Sequence, residues 1–284
     1  MSCLRELVQE SPLDSSDTRA LLKHLVEEVL QWPSSALITR DLEALPESLI
    51  STWQSYCQRR LKGEPVAYIL GYRDFYDIRL KVSPAVLIPR PDTELLVDIA
   101  LGFLQKKLAQ GQESFKVLDL GTGSGAIALA IASTIAKNAP HSQVWACDKS
   151  PAALALAQEN MKDLGLKNVK LFESDWYSAC ESEVFDLIVS NPPYIRAHDE
   201  HLSLGDLRFE PQSALTDDGD GLSAYRVIIS QAPNYLVNAG YIVLEHGYDQ
   251  SKAVCALLES HGFRDIEVHH DLAGIARAAS GRLG

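Results

Sequence analysis

Val117-Leu-Asp-Leu-Gly-Thr-Gly-Ser-Gly125 joins a short apolar run to three alternating glycines, and residues 126–137 that follow are almost wholly apolar. That order reads as strand, turn and helix. Glycines at the turn allow a tight reversal and let a ligand approach the backbone, while the start of the helix offers unpaired N–H donors. A plain strand-to-helix turn needs no third alternating glycine, so Gly121, Thr122, Gly123, Ser124 and Gly125 are candidate cofactor-binding residues.

The rest of the C-terminal two thirds repeats the theme. Residues 144–147 read as a second strand, followed by a helix that Ser150 caps and Pro151 starts. Residues 169–172, 185–189 and 241–244 supply three more strands. Short strands alternating with helices predict an α/β sheet of parallel strands from about residue 91 onward. Asp148, ending the second strand, is placed to accept both hydroxyls of a ribose, since Ser150 already serves as the helix cap. Gly121-x-Gly123-x-x-Ala126 also fits the variant dinucleotide fingerprint, so the ribose could belong to NAD or to S-adenosylmethionine. Trp176, after the third strand, can stack on an adenine whose amine Asp175 would meet, although a core tryptophan beside a turn has the same spacing.

Ser190-Asn-Pro-Pro-Tyr-Ile195 closes the fourth strand. Pro192 and Pro193 lack N–H groups, have fixed φ and hold the residue before each of them extended, which leaves backbone carbonyls unpaired. Asn191 adds a side-chain acceptor at the carboxyl edge of the sheet, where open α/β sheets bind ligands. Asn191 Oδ1 and the Pro192 carbonyl together suit a planar NH2 group, with Tyr194 flanking it. Asn191, Pro192 and Tyr194 are therefore the candidate catalytic residues, and residues 191–194 as a whole are the candidate substrate grip. No strong base is present, so the proton lost after transfer is expected to pass to water.

Upstream, Leu21, Leu22, Leu25, Val26, Val29 and Leu30 recur on one helical face behind candidate caps Ser16 and Asp17, and Pro33 and Pro46 punctuate further helices. Ile78, Leu80 and Val82 alternate with Arg79 and Lys81, the period of a half-buried strand. The expected organisation is a helical domain over 1–71, a β-hairpin linker over 72–90 and an α/β domain over 91–284.

The chain has 284 residues, 46% hydrophobic and 23% charged, which are globular values. Its formal net charge of −12 argues against a phosphate backbone as a direct partner. Five scattered cysteines with no Cys-x-x-Cys pair point to a reducing, cytoplasmic setting. The first ten residues lack a secretion signal, and no apolar run approaches the roughly 20 residues that span a bilayer. His246, His269 and His270 lack the spacing of a metal site, and none is expected.

With these residues in view, the chain resembles the release factor glutamine methyltransferases, a family of S-adenosylmethionine-dependent protein-(glutamine-N5) methyltransferases. The resemblance lies in residues 63–71, 86–94, 117–127, 190–195, 208–211 and 244–250, with Asp92 standing where a Glu is expected. It implies a Rossmann-like class I methyltransferase sheet whose last strand runs antiparallel, with a small N-terminal helical domain for substrate docking. It implies cofactor contacts at 121–125, Asp148, Trp176 and Asn191, with S-adenosylhomocysteine as product. The implied substrate is the glutamine of a Gly-Gly-Gln loop in peptide chain release factors, met by a cytoplasmic monomer. Rival readings are methylation of a ribosomal protein or of adenine in DNA, an NAD-dependent oxidoreductase and a non-catalytic cofactor-binding module. The oxidoreductase gives residues 191–194 no purpose.

Overall fold

A computed structural model describes residues 2–203 and 205–284; Met1 and Leu204, which fall inside the expected domain ranges, lie outside the described residues. Contacts divide the chain into two compact units, Met1–Tyr72 with Leu204–Phe209, and Arg73–Ser203 with Glu210–Gly284.

The first unit is helical: α1 (Leu4–Gln9), α2 (Ser15–His24), α3 (Ala36–Thr39), α4 (Glu47–Leu61) and α5 (Val66–Leu70). The cap of α2 is Asp14 rather than Ser16 or Asp17. From an extended backbone its carboxylate accepts from the N–H groups of both, each at 2.9 Å, which places them inside the first turn. Leu21, Leu22, Leu25 and Val26 are buried with Leu49, Trp53 and Ile69, but Val29 is 48% exposed. The reason is a π turn over Leu25–Val29, where Leu30 N–H donates to the Leu25 carbonyl five residues back. A wider turn rotates the following side chains off the apolar stripe.

A hairpin of β1 (Tyr72–Phe75) and β2 (Ile78–Lys81) comes next, with Ile78 and Leu80 buried and Arg79 and Lys81 exposed. The main sheet contains β3 (Lys116–Leu120), β4 (Gln143–Asp148), β5 (Val169–Glu173), β6 (Phe185–Ser190), β7 (Leu236–Glu245), β8 (Phe263–His270) and β9 (Ala276–Leu283). Its order is β5-β4-β3-β6-β7-β9-β8. The pairs β3–β4, β3–β6, β4–β5 and β6–β7 are parallel, while β9 runs antiparallel to both β7 and β8. The helices of this unit are α6 (Glu94–Ala109), α7 (Ala126–Asn138), α8 (Pro151–Asp163), α9 (Gln212–Leu215), α10 (Ser223–Gln231) and α11 (Ser251–Ser260).

Alternation along the central strands builds two cores. Val117, Leu187, Val189 and Val243 pack with α6 and α7, while Leu118, Ile188, Ile242 and Leu244 pack with Tyr225, Ile228, Val254 and Leu258 of α10 and α11. Each such side chain contributes about 1.5–3 kcal/mol when buried. A slip of one residue would exchange the two sets, so the register is strongly specified. The chain winds outward from β3 through β5, then returns to β6 on the other side of β3. Loops leaving the carboxyl ends of β3 and β6 therefore diverge and open a crevice, the place where sheets of this topology bind ligands.

Candidate active site

A cavity of about 310 Å³ occupies that crevice, and every residue lining it belongs to the second unit. The glycine turn forms its floor. Gly121 and Thr122 donate their N–H groups to the Cys147 carbonyl at 2.9 Å, and Gly125 N–H donates to the Thr122 carbonyl at 2.8 Å. Gly125 adopts φ +86°, and a Cβ there would meet Leu129 Cδ1 at 2.8 Å, so a larger residue would push α7 from the turn. Below the turn Asp119 is buried and accepts from the Thr122 hydroxyl at 2.7 Å. Burial pushes its carboxyl up to about 7 against that hydrogen bond. The buried Asn160 of α8 donates to the Ser124 carbonyl at 2.9 Å and pairs with both backbone groups of Lys81, so β2 braces the turn.

Asp148 lines the cavity beside the glycines. Its Oδ2 accepts from Gly123 N–H and its Oδ1 from Ser150 N–H, both at 2.9 Å. The local role set aside in favour of Ser150 is thus partly filled by Asp148 itself, while Ser150 Oγ accepts from Ala153 N–H at 3.3 Å. Each carboxylate oxygen still has a lone pair for a hydroxyl, so two neighbouring acceptors remain. Trp176 stands in the left-handed region at φ +51°, an outlier for a bulky residue. Its carbonyl accepts from Ser174 Oγ at 2.7 Å and from Cys147 Sγ at 3.4 Å. A Cβ on Gly121 would lie 3.7 Å from the Trp176 ring, so the indole flanks the turn. Both Trp176 and the exposed Asp175 line the cavity.

Across the crevice, Asn191 and Pro193 line the same cavity, whereas Pro192 and Tyr194 do not. Pro192 is buried, and the Tyr194 hydroxyl points to Glu245 Oε1 at 3.4 Å. The structure thus brings Asn191, residues 121–124, Asp148 and Trp176 to one cavity and turns the Tyr194 hydroxyl away. Asn191 Nδ2 donates to Thr93 Oγ1 at 3.2 Å, which leaves its Oδ1 as the free acceptor. Burial pushes the Glu245 carboxyl up to about 7, opposed by the nearby polar side chains of Thr93 and Tyr194.

Thr93, Glu245 and Asn160 were not singled out from the sequence. An acid closing the apolar run 241–244 and an asparagine inside a helix were signals that could have been followed; Thr93 lies in the segment 86–94 that carries the resemblance but has no local pattern of its own that marks it. Asp92 forms an ion pair with Arg277 at 3.3 Å, and Arg277 also pairs with Asp271 at 3.1 Å, which anchors the segment before α6 to β9. Glu210, its side chain fully buried, accepts from Ile88 N–H at 2.9 Å and pairs with Arg90. It ties the loop carrying Val86, Leu87 and Pro89 to the one carrying Pro211, Ser213 and Ala214, all on the cavity wall. His246 bonds the Gly247 carbonyl through Nδ1, and His269 bonds Ser280.

Residues 94–222 match the Methyltransferase small domain family and residues 4–71 match the PrmC N-terminal domain family. The chain is 46% identical over 284 residues to a release factor glutamine methyltransferase of Burkholderia pseudomallei, with 98% of this chain and 95% of the relative covered. To the protein of the same name from Bordetella pertussis it is 44% identical, with both chains covered in full. Among solved structures it is similar to a methyltransferase from Pyrococcus furiosus, with TM-score 0.51, 16% identity, and 81% of this chain and 99% of that one covered, a likeness of fold.

Proposed function

The chain belongs to the release factor glutamine methyltransferase family, and from that premise we propose how its own residues carry the family's reaction. The protein methylates the side-chain amide nitrogen of the glutamine in the Gly-Gly-Gln motif of peptide chain release factors. S-adenosylmethionine is the methyl donor and S-adenosylhomocysteine the product. The residues present fit that cofactor: a glycine turn open to the backbone, two acceptors on Asp148 for a pair of hydroxyls and the Trp176 face for a ring. When bound, the cofactor supplies a methyl group on a positively charged sulfur.

Residues 121–124 pack against its chain while Gly125, which does not line the cavity, sets the turn against α7; Asp148 holds its ribose and Trp176 covers its base. Asn191 Oδ1 and the Pro192 carbonyl accept the two hydrogens of the substrate amide, with Pro193 and Tyr194 stiffening the grip. An amide nitrogen is a poor nucleophile because its lone pair is delocalised into the carbonyl. Acceptors that fit the partly positive nitrogen of the transition state better than the flat ground state lower the barrier. Holding that nitrogen in line with the methyl carbon contributes the remainder. Asn191 takes up no proton at neutral pH, so the surplus proton leaves to water after transfer.

The observation that carries this reading is the single cavity shared by Asn191 and the Gly121–Gly123 turn across the β3/β6 switch point. One glutamine offers too little surface for selection, so the helical unit over residues 1–71 docks the release factor body and the segment 72–90 links it to the methyltransferase domain over 91–284. The protein acts as a monomer in the cytoplasm without direct nucleic-acid contact, as its net charge of −12 favours. Among the described residues, no helix is long and apolar enough to cross a membrane.

Labelled donor mixed with a release factor, a ribosomal protein and duplex DNA tests the substrate; label confined to DNA would overturn the assignment. Asn191→Ala is expected to keep donor affinity within a few-fold and to lose most turnover.

A further inference from the structure

The carboxyl edge of the main sheet carries more than the cavity. Among the described residues of the second unit five large apolar side chains stand exposed, and three of them, Tyr248, Leu272 and Ile275, belong to two loops at this edge. Apolar residues exposed singly are ordinary on a protein surface, whereas a group of them beside a ligand cavity marks an interaction site.

Strand pairing explains why they gather there. β9 runs antiparallel to β7 with Ala278 opposite Glu245, so the Asp271–Ile275 turn that leads into β9 lies beyond the end of β7. β7 pairs in parallel with β6, Leu244 beside Ser190, so Tyr248 leaves the sheet alongside the loop that carries residues 191–194. A Cβ on Gly247 would lie 3.5 Å from the Tyr194 ring, and Asp249 pairs with Arg196 at 2.8 Å. Both chain neighbours of Tyr248 thus lie against the loop after β6, while Tyr248 itself is 73% exposed.

The turn before β9 is fixed by its own bonds. Asp271 Oδ1 accepts from Ala273 N–H and Ile275 N–H, both at 2.9 Å, and Gly274 N–H donates to the Asp271 carbonyl at 2.9 Å. Arg277 joins the Asp271 carboxylate to Asp92, the residue before Thr93 of the cavity wall. Leu272 is held fully in water by this turn, with Ile275 39% exposed behind it. A turn already ordered loses little entropy on binding, so apolar surface displayed on it converts efficiently into affinity.

We infer that Tyr248, Leu272 and Ile275 form an apolar rim that docks the release factor surface flanking its Gly-Gly-Gln loop. The inference rests on the reading that the glutamine of that loop enters this cavity. Two glycines and a glutamine carry little apolar surface of their own, so the affinity that brings them in comes from the chain on either side. An apolar side chain of the factor laid on Leu272 and Tyr248 takes all three out of water. Continuity of the rim with the cavity wall makes its occupant the molecule that delivers the glutamine, not a second copy of this chain.

The test uses the full-length enzyme with S-adenosylmethionine and an intact release factor. The double variant Tyr248→Ser with Leu272→Ser is expected to raise KM for the factor at least tenfold, with kcat and S-adenosylmethionine affinity held within twofold. Leu272→Met, which keeps an apolar chain on the turn, should stay within threefold of the parent KM. Val184→Ser removes an exposed apolar residue at the amino end of β6, the opposite edge of the sheet, and should leave KM within twofold. The parent KM in the double variant would overturn the inference, as would an equal rise in Val184→Ser or a fall in kcat with KM unchanged. A parent dimer in sedimentation that Leu272→Ser dissociates would give the rim to a second copy and overturn it too. A parent enzyme that leaves the release factor unlabelled would instead overturn the reading of the cavity, so the two failures are distinguishable.

Discussion

The Gln250 side-chain amide donates to the Tyr194 carbonyl at 2.9 Å and to the Gly221 carbonyl at 3.1 Å, while its oxygen accepts from Gly247 N–H at 2.9 Å. One buried glutamine thus pins the loop after β6, the loop before α10 and the loop after β7. Leaving a buried backbone group unpaired costs about 1–3 kcal/mol. Gln250→Leu is therefore expected to lower the melting temperature and to slow methyl transfer at least tenfold in single turnover, because the Pro192–Tyr194 backbone is no longer held. Donor affinity should stay within a few-fold; a variant that melts early but transfers methyl at the normal rate would deny Gln250 any part in shaping the grip.

Asp148 offers the cofactor two charged acceptors, and hydrogen bonds to a charged group contribute about 1.5–3 kcal/mol each. Asp148→Ala is expected to weaken S-adenosylmethionine binding by about 100-fold or more, and Asp148→Asn by an intermediate factor, since it keeps one acceptor. Calorimetric titration measures this directly, and equal affinity in all three proteins would remove Asp148 from the cofactor site.

Arg90 partners a Glu210 carboxylate whose side chain has no exposed surface. Breaking a buried pair costs about 3–5 kcal/mol, and the partial exposure of Arg90 puts Arg90→Ala near the lower end, about 3 kcal/mol. Because Glu210 joins two loops of the cavity wall, the same variant should release bound donor faster. Stopped-flow displacement would show the change, and an unaltered release rate would mean that the wall does not depend on this pair.

Burial pushes both Asp119 and Glu245 up to about 7, well above the 3.8 and 4.5 of the free groups. Between those limits the folded chain binds more protons than the unfolded one. Their contribution to stability is therefore complete below about pH 4 and is lost as pH rises through 7, at no more than about 1.4 kcal/mol per pH unit for each group. Denaturant midpoints measured from pH 5 to 8 should fall with a slope that Glu245→Gln makes shallower. A variant with the same slope as the parent would show that Glu245 does not titrate in this window.

The strand, turn and helix around residues 117–138 were readable because each rests on local pattern: apolar alternation, glycines at the reversal and a helix apolar on most sides. Asn191 and Asp148 were readable for a related reason, since each directly follows or ends a recognisable strand and a sheet of this topology places such positions on one edge. Strands β8 and β9 were harder to see. Residues 278–281 of β9 are buried Ala-Ala-Ser-Gly and β8 is mostly exposed, so neither carries an apolar run.

Partnership among polar side chains lay beyond the pattern. Thr93 and Asn191 are 98 residues apart and Tyr194 and Glu245 are 51 apart, and nothing in their neighbouring residues announces the pairing. Local periodicity dictates which segments become strands and which faces they bury, because burial depends on side chains a few positions apart. Hydrogen bonds between buried polar groups depend on which strand ends come to lie side by side, and that is settled only when the whole sheet assembles.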